Sequence, residues 1–204
     1  MSKFLTMKDK IVERATELFF KMGFKSVTMD DIAADMSISK KTIYKYFSNK
    51  EDLVSDSVTL IHSKIMSMMH DVIAKDYNPI KENFEIRNMF KEMFHIAEAS
   101  PVYQLRKFYP EIYQHILQVQ FTQCKHFVQH NLEKGIERGY YRADINVTEC
   151  IGFYYTLMFH INETSPLEKE AWQRELYILE YHTRAIGTPK GISELESYLS
   201  IPNI

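Results

Sequence analysis
The chain has 204 residues, 45% of them hydrophobic, with only six Gly and six Pro, a composition that supports a packed globule and favours helix over sheet. Its net charge of -2 hides a polarity. Residues 1–50 hold nine Lys and one Arg against four Asp and two Glu, a surplus of +4 that leaves -6 for residues 51–204, so only the N-terminal end suits a polyanion. Residues 8–22 place Ile11, Val12, Ala15, Leu18, Phe19 and Met22 at steps of three and four and end at Gly23, which predicts an amphipathic helix with a positive-φ cap. Thr28 three residues before Asp31 predicts a capping box for a short helix carrying Ile32, Ala33 and Met36. Ser39 caps a third short helix, Lys40 to Phe47, and Ser48 with Glu51 forms a box opening a long fourth helix that breaks at Tyr77-Asn78-Pro79. Further helices are predicted near 81–98, 101–109 (Ser100 capping), 110–138, from Asn146 to about Asn162, and from Ser165-Pro166 to near Gly187; the tail from Thr188 carries no strong signal. The expectation is an all-α fold of about nine helices.

Winding Lys40 to Phe47 at about 100° per residue puts Ile43 and Phe47 on one side and Lys41, Thr42 and Lys45 on the other. A short helix with apolar anchors on one face and lysines on the opposite one, following another short helix across a turn, is the arrangement of a helix-turn-helix that enters the major groove. Lysine donors suit guanine O6 and N7, and Thr42 reaches a base edge or a phosphate. The stretch from Gly23 to Ala33, followed by Ile38 to Leu53, resembles the DNA-binding domain of the TetR/AcrR-like family of transcriptional regulators over roughly residues 8–60. That resemblance implies phosphate contacts from Thr28, Tyr44 and Lys50, base reading by Lys40, Lys41, Thr42 and Lys45, and a small core of Ile32, Ala33, Ile43, Phe47 and Leu53. The chain departs from the family pattern at Met36-Ser37, where Ala-Gly is common, and at Lys41, where Gly is common. The first departure asks a non-glycine residue to take a left-handed turn. The domain organisation implied is 1–52 for DNA binding and 53–204 for a helical regulatory and dimerisation domain.

The body is rich in Met and aromatic side chains, Phe121 among them, which serve either as core or as the lining of an apolar pocket. The resemblance implies a pocket for a small-molecule effector, with Met89, Met93, His95, Tyr103, Phe108, Phe127, Tyr155 and Phe159 as candidates. His95 and His160 are open to either a ligand role or a core role. The last two helices are apolar enough to need a cover, and the resemblance implies a homodimer through Tyr154, Met158, Ile161, Trp172, Leu176 and Leu179. His126 and His130 are spaced i, i+4 without a third ligand, so neither a metal nor another cofactor is expected. Glu163, Glu168 and Glu170 read as helix-end and surface charge. No nucleophile-and-base pair or phosphate loop stands out, so a catalytic role is not expected. No apolar run approaches the roughly 18 residues that cross a bilayer, and a cytoplasmic location with no membrane partner is expected. The combined expectation is a ligand-responsive repressor, acting as a homodimer on a palindromic double-stranded operator.

Overall fold
The computed structural model describes residues 5–201, without the side chains of residues 120–123; Phe121 therefore lies outside what is described. Ten helices follow one another among the described residues: α1 (Met7–Met22), α2 (Met29–Asp35), α3 (Lys40–Tyr44), α4 (Lys50–Ile73), α5 (Pro79–Phe94), α6 (Pro101–Phe108), α7 (Pro110–Glu137), α8 (Val147–Thr164), α9 (Glu168–Ile186) and α10 (Pro189–Leu199). No strand occurs among them, only isolated bridges at Ala99–Leu167 and Tyr141–Gly187. The all-α expectation holds.

Local signals set most boundaries. Thr28 Oγ1 accepts from the Asp31 N–H at 3.1 Å while the Asp31 carboxylate accepts from the Thr28 N–H at 2.8 Å, a reciprocal box that serves two N–H groups with no intrahelical partner. Ser39 caps α3, Asn146 caps α8, and Ser100 followed by Pro101 opens α6. Three expectations need correction. The cap of α4 is Asn49, which accepts from the Asp52 N–H at 2.8 Å; Ser48 instead gives its own N–H to the Asp52 carboxylate. Ser165 closes α8, and α9 begins after Leu167 with no side-chain cap. The tail folds as α10, capped by Thr188 with Pro189 in the first turn. Gly191 weakened the helical signal there, and it is required: a Cβ at Gly191 would stand 2.1 Å from the Tyr140 carbonyl oxygen.

Ser37 turns the chain between α2 and α3 with φ of 54°. A non-glycine residue in the left-handed region costs on the order of 1 kcal/mol, offset here by the bond from the Ile38 N–H to the Ala33 carbonyl at 3.0 Å.

One apolar core joins α1 to the first half of α4, built on Ile11, Phe19, Ile32, Ile43, Phe47 and Leu53 and closed from the body by Leu105, Tyr113 and Ile116. A second core lies under α5, α7, α8, α9 and α10. The α1–α2 loop is tied to α6 and the residue after it, where Gln104 Oε1 accepts from the Phe24 N–H at 2.8 Å and the Tyr109 hydroxyl donates to the Phe24 carbonyl at 3.3 Å.

Candidate nucleic-acid interface and the cavity behind it
The short helix α3 is held by its apolar side. Ile43 is 0% exposed and Phe47, just past its end, 2%; Ile32, Ala33 and Leu53 are buried with them. On the opposite side Lys41 and Lys45 are exposed and Thr42 is half-buried. Their circumstances differ. Lys40 is engaged by Asp30, with Nζ to Oδ2 at 2.9 Å, and lies 5.9 Å from the centre of the Tyr44 ring. Lys45 lies as far from the Tyr46 ring. Thr42 Oγ1 is 2.8 Å from the capping Ser39 hydroxyl. Lys41 makes no ion pair or hydrogen bond with another side chain among the described residues. Tyr44 and Tyr46 are exposed beside these cations. An outward row of cations beside exposed phenols can pair with phosphates and present donors to base edges.

Two residues expected at phosphates are occupied. The Thr28 hydroxyl donates to Asp31 at 2.8 Å. Lys50 donates to the Lys25 carbonyl at 3.1 Å and lies 5.9 Å from the rings of both Phe19 and Tyr109. Partial burial lowers the Lys50 pKa, opposed by the nearby Asp31. Each would have to give up its intramolecular bond to reach a phosphate directly.

Behind this domain lies a cavity of about 270 Å³ between α1, α4, α5, α6, α7, α8 and α9. Its walls are mostly apolar, and Thr16, Phe20 and Phe24 of the N-terminal helices form one end of it.

Residues 11–56 match the family model described as bacterial regulatory proteins, tetR family. Over 186 residues the chain is 28% identical to the uncharacterized HTH-type transcriptional regulator YhgD of Bacillus subtilis strain 168, spanning 84% of this chain and 94% of that one. The N-terminal segment is thus similar to the tetR family of bacterial regulatory proteins, and most of the chain to an HTH-type transcriptional regulator. The chain is also 31% identical over 88 residues to IcaR of Staphylococcus aureus strain Newman, the HTH-type negative transcriptional regulator of the biofilm operon icaADBC, covering 43% of this chain and 44% of that one. A solved gamma-butyrolactone receptor, an ArpA-like protein, shares the fold with a TM-score of 0.68 at 16% identity, covering 92% of this chain and 91% of that one.

The cavity and the candidate pocket residues overlap only in part. Phe127, Tyr155 and Phe159 line it. Met89 and Met93 do not; they pack in the apolar cluster between α4 and α5. His95 is exposed past the end of α5, its Nδ1 beside the Glu92 carbonyl, and His160 is exposed as well. Tyr103 and Phe108 lie outside the cavity with the Lys107 ammonium near both rings. The polar part of the wall was missed by sequence reasoning: Arg87, Glu168 and Glu175 all line it. Burial pushes the Glu168 carboxyl up to about 7, aided by Glu175, so its reading as plain surface charge is corrected. Glu163 accepts from the Tyr113 hydroxyl.

The candidate dimer residues turn inward. Ile161 and Leu179 are buried, Leu176 packs against the body core, and Tyr154, Met158 and Trp172 line the cavity. The outward face of α8 and α9 carries other residues, with Phe153 64% exposed, Tyr177 70% and Tyr181 68%, and Leu157 beside them. Among the described residues no group of three or more His, Cys, Asp or Glu is placed to hold a metal ion, and no helix is long and apolar enough to cross a membrane.

Proposed function
We propose that this protein is a ligand-responsive repressor that binds a palindromic operator as a homodimer. The observation that carries the DNA half is the display of Lys41, Thr42 and Lys45 away from the 0%-exposed anchor Ile43. In this reading α3 enters the major groove, Lys40, Lys41, Thr42 and Lys45 read bases, and Thr28, Tyr44 and Lys50 lie along phosphates. Residues 1–52 act as the DNA-binding unit and residues 53–204 as the regulatory and dimerisation unit, with α4 belonging to both.

The pairing of two chains rests on the exposure of the large apolar and aromatic side chains Phe153, Leu157, Tyr177 and Tyr181 on α8 and α9, the kind of surface that marks an interaction site. A two-fold dimer also places two recognition helices about 34–36 Å apart, as successive half-sites on one face of the duplex require. Repression is the sense named for IcaR, and the gamma-butyrolactone receptor is by its name a ligand-binding protein; both carry over here as proposal. The regulatory link is short, because Phe20 and Phe24 belong both to the cavity wall and to the packing of the DNA-binding helices. An effector filling the cavity would press on α1 and on Leu105, which seals the N-terminal core, and so shift the two recognition helices. Binding of effector and operator is then reciprocally coupled.

The test is selection of duplexes from a random pool, followed by measurement of affinity against salt. A specific duplex whose affinity falls steeply with ionic strength is the expected result; a protein indifferent to every duplex at low salt would refute the reading. A helical carrier protein with a merely structural helix-turn-helix would give that second result.

A further inference from the structure
The polar groups in the cavity wall are unequally served. Arg87 on α5 is 6% exposed. Its Nη2 donates to the Trp172 carbonyl at 3.0 Å, and its guanidinium carbon lies 3.6 Å from the Trp172 ring centre. Its Nε and Nη1, together with the Trp172 Nε1, are buried without a hydrogen-bond partner among the described residues. Buried donors of this kind are rare because each forfeits its hydration without compensation.

The carboxyls on the same wall do not fill the need. Glu175 is held by the Asn162 amide at 2.6 Å, and Glu168 is drawn towards Ser100. Burial raises both carboxyls, Glu168 to about 7, which weakens the Glu168 counter-charge at neutral pH, while the Arg87 charge opposes the rise at Glu175. Burial also lowers the Arg87 guanidinium, to about 10, and leaves it charged at neutral pH. Part of the cavity wall is thus a set of unmatched N–H donors with a retained positive charge, and the lining at Ile65, Met66, Phe127 and Phe159 is apolar.

Resting on the effector role proposed above for this cavity, we propose that the effector is an amphipathic monocarboxylate whose head accepts hydrogen bonds from Arg87 and Trp172 and whose apolar body lies along Ile65, Met66, Phe127 and Phe159. A neutral apolar compound would leave three donors buried and unmatched. An organic cation would meet two cations already on the Trp172 face, Arg87 and Lys91, the latter 4.3 Å from the ring centre. A carboxylate supplies charge and acceptors together, the combination that a guanidinium binds best.

Trp172 is the single tryptophan of the chain, so its fluorescence reports binding at this part of the wall. The full chain would be titrated with decanoate, 1-decanol and decylammonium, three probes of equal chain length. Decanoate should perturb Trp172 emission saturably and bind at least about tenfold more tightly than decanol, the scale of a charge-assisted hydrogen bond, with decylammonium weakest. Arg87→Gln should erase that preference while decanol binding changes less than about threefold, its fold checked by helical circular dichroism. Trp172→Phe, followed by calorimetry, keeps the ring and removes the indole N–H; it should lower decanoate affinity alone. Equal affinity for decanoate and decanol would overturn the carboxylate head but leave the effector cavity standing. Failure of all three probes to bind would overturn both readings.

Discussion
The buried ion pair between α5 and α7 gives the most quantitative handle on the body. Glu82 is 1% exposed and Lys134 6%, and the Lys134 ammonium donates directly to the Glu82 carboxylate. Asn131 donates to the other carboxylate oxygen at 2.7 Å and to the Pro79 carbonyl at 3.0 Å, and the Tyr141 hydroxyl donates to Asn131 at 3.1 Å. Lys134→Met strips the carboxylate of its charge partner and leaves one amide donor. Such an uncompensated buried charge costs about 3–5 kcal/mol. For a domain of this size that corresponds to a fall in Tm of roughly 6–20 °C. Replacing both partners, Glu82→Leu with Lys134→Met, removes both desolvation penalties, and Asn131 keeps the Pro79 carbonyl. The double variant should therefore recover most of the loss. Thermal unfolding followed by helical circular dichroism measures all three proteins. A single variant that loses less than about 1 kcal/mol, or a double variant worse than the two singles summed, would refute the reasoning.

Three further outcomes are expected. Lys41→Ala should mainly relax base preference, whereas Lys50→Ala should weaken binding to every duplex and lower the salt slope by about one; equal losses of both kinds from both variants would contradict the assigned roles. Tyr177→Lys with Tyr181→Lys places four like charges across the proposed two-fold interface and should convert the dimer to monomer by sedimentation without lowering helicity. His182, its ring tilted against Tyr154 at 4.7 Å between ring centres, is pushed by burial from 6.5 down to about 4. The unfolded chain then binds the extra proton first, so His182 costs stability progressively as pH falls from about 6.5 to 4, by up to about 3 kcal/mol. Comparing acid unfolding of the wild type with His182→Asn isolates this loss, because the opposing contribution of Glu168 is common to both proteins; parallel curves would show the imidazole to be solvated.

The N-terminal third was legible because its signals are local. Thr28 with Asp31, Ser39 before Lys40, and the pair Ile43 and Phe47 each act within one or two turns, and the structure has Ser37 at positive φ where the family resemblance implied a left-handed residue. In the body the helices were legible but their facing was not. The α8 helix is apolar nearly all round, so Tyr154 and Met158 could not be told from Phe153 and Leu157 by periodicity; packing against α9 decides that the first pair faces the cavity and Phe153 and Leu157 the outside. Arg87 and Glu168 were hidden for a related reason. A charged residue on an amphipathic helix reads as surface, and only the tertiary placement of α5 beside Trp172 turns Arg87 into a wall residue.

The account depends on two copies of α3 sitting in successive major grooves, and interference by methylation at guanine N7 on a selected duplex examines that contact atom by atom. Two clusters of interfering guanines about 10–10.5 base pairs apart, each weakened by Lys41→Ala, are predicted. Binding indifferent to N7 methylation, or one unpaired cluster, would contradict the account.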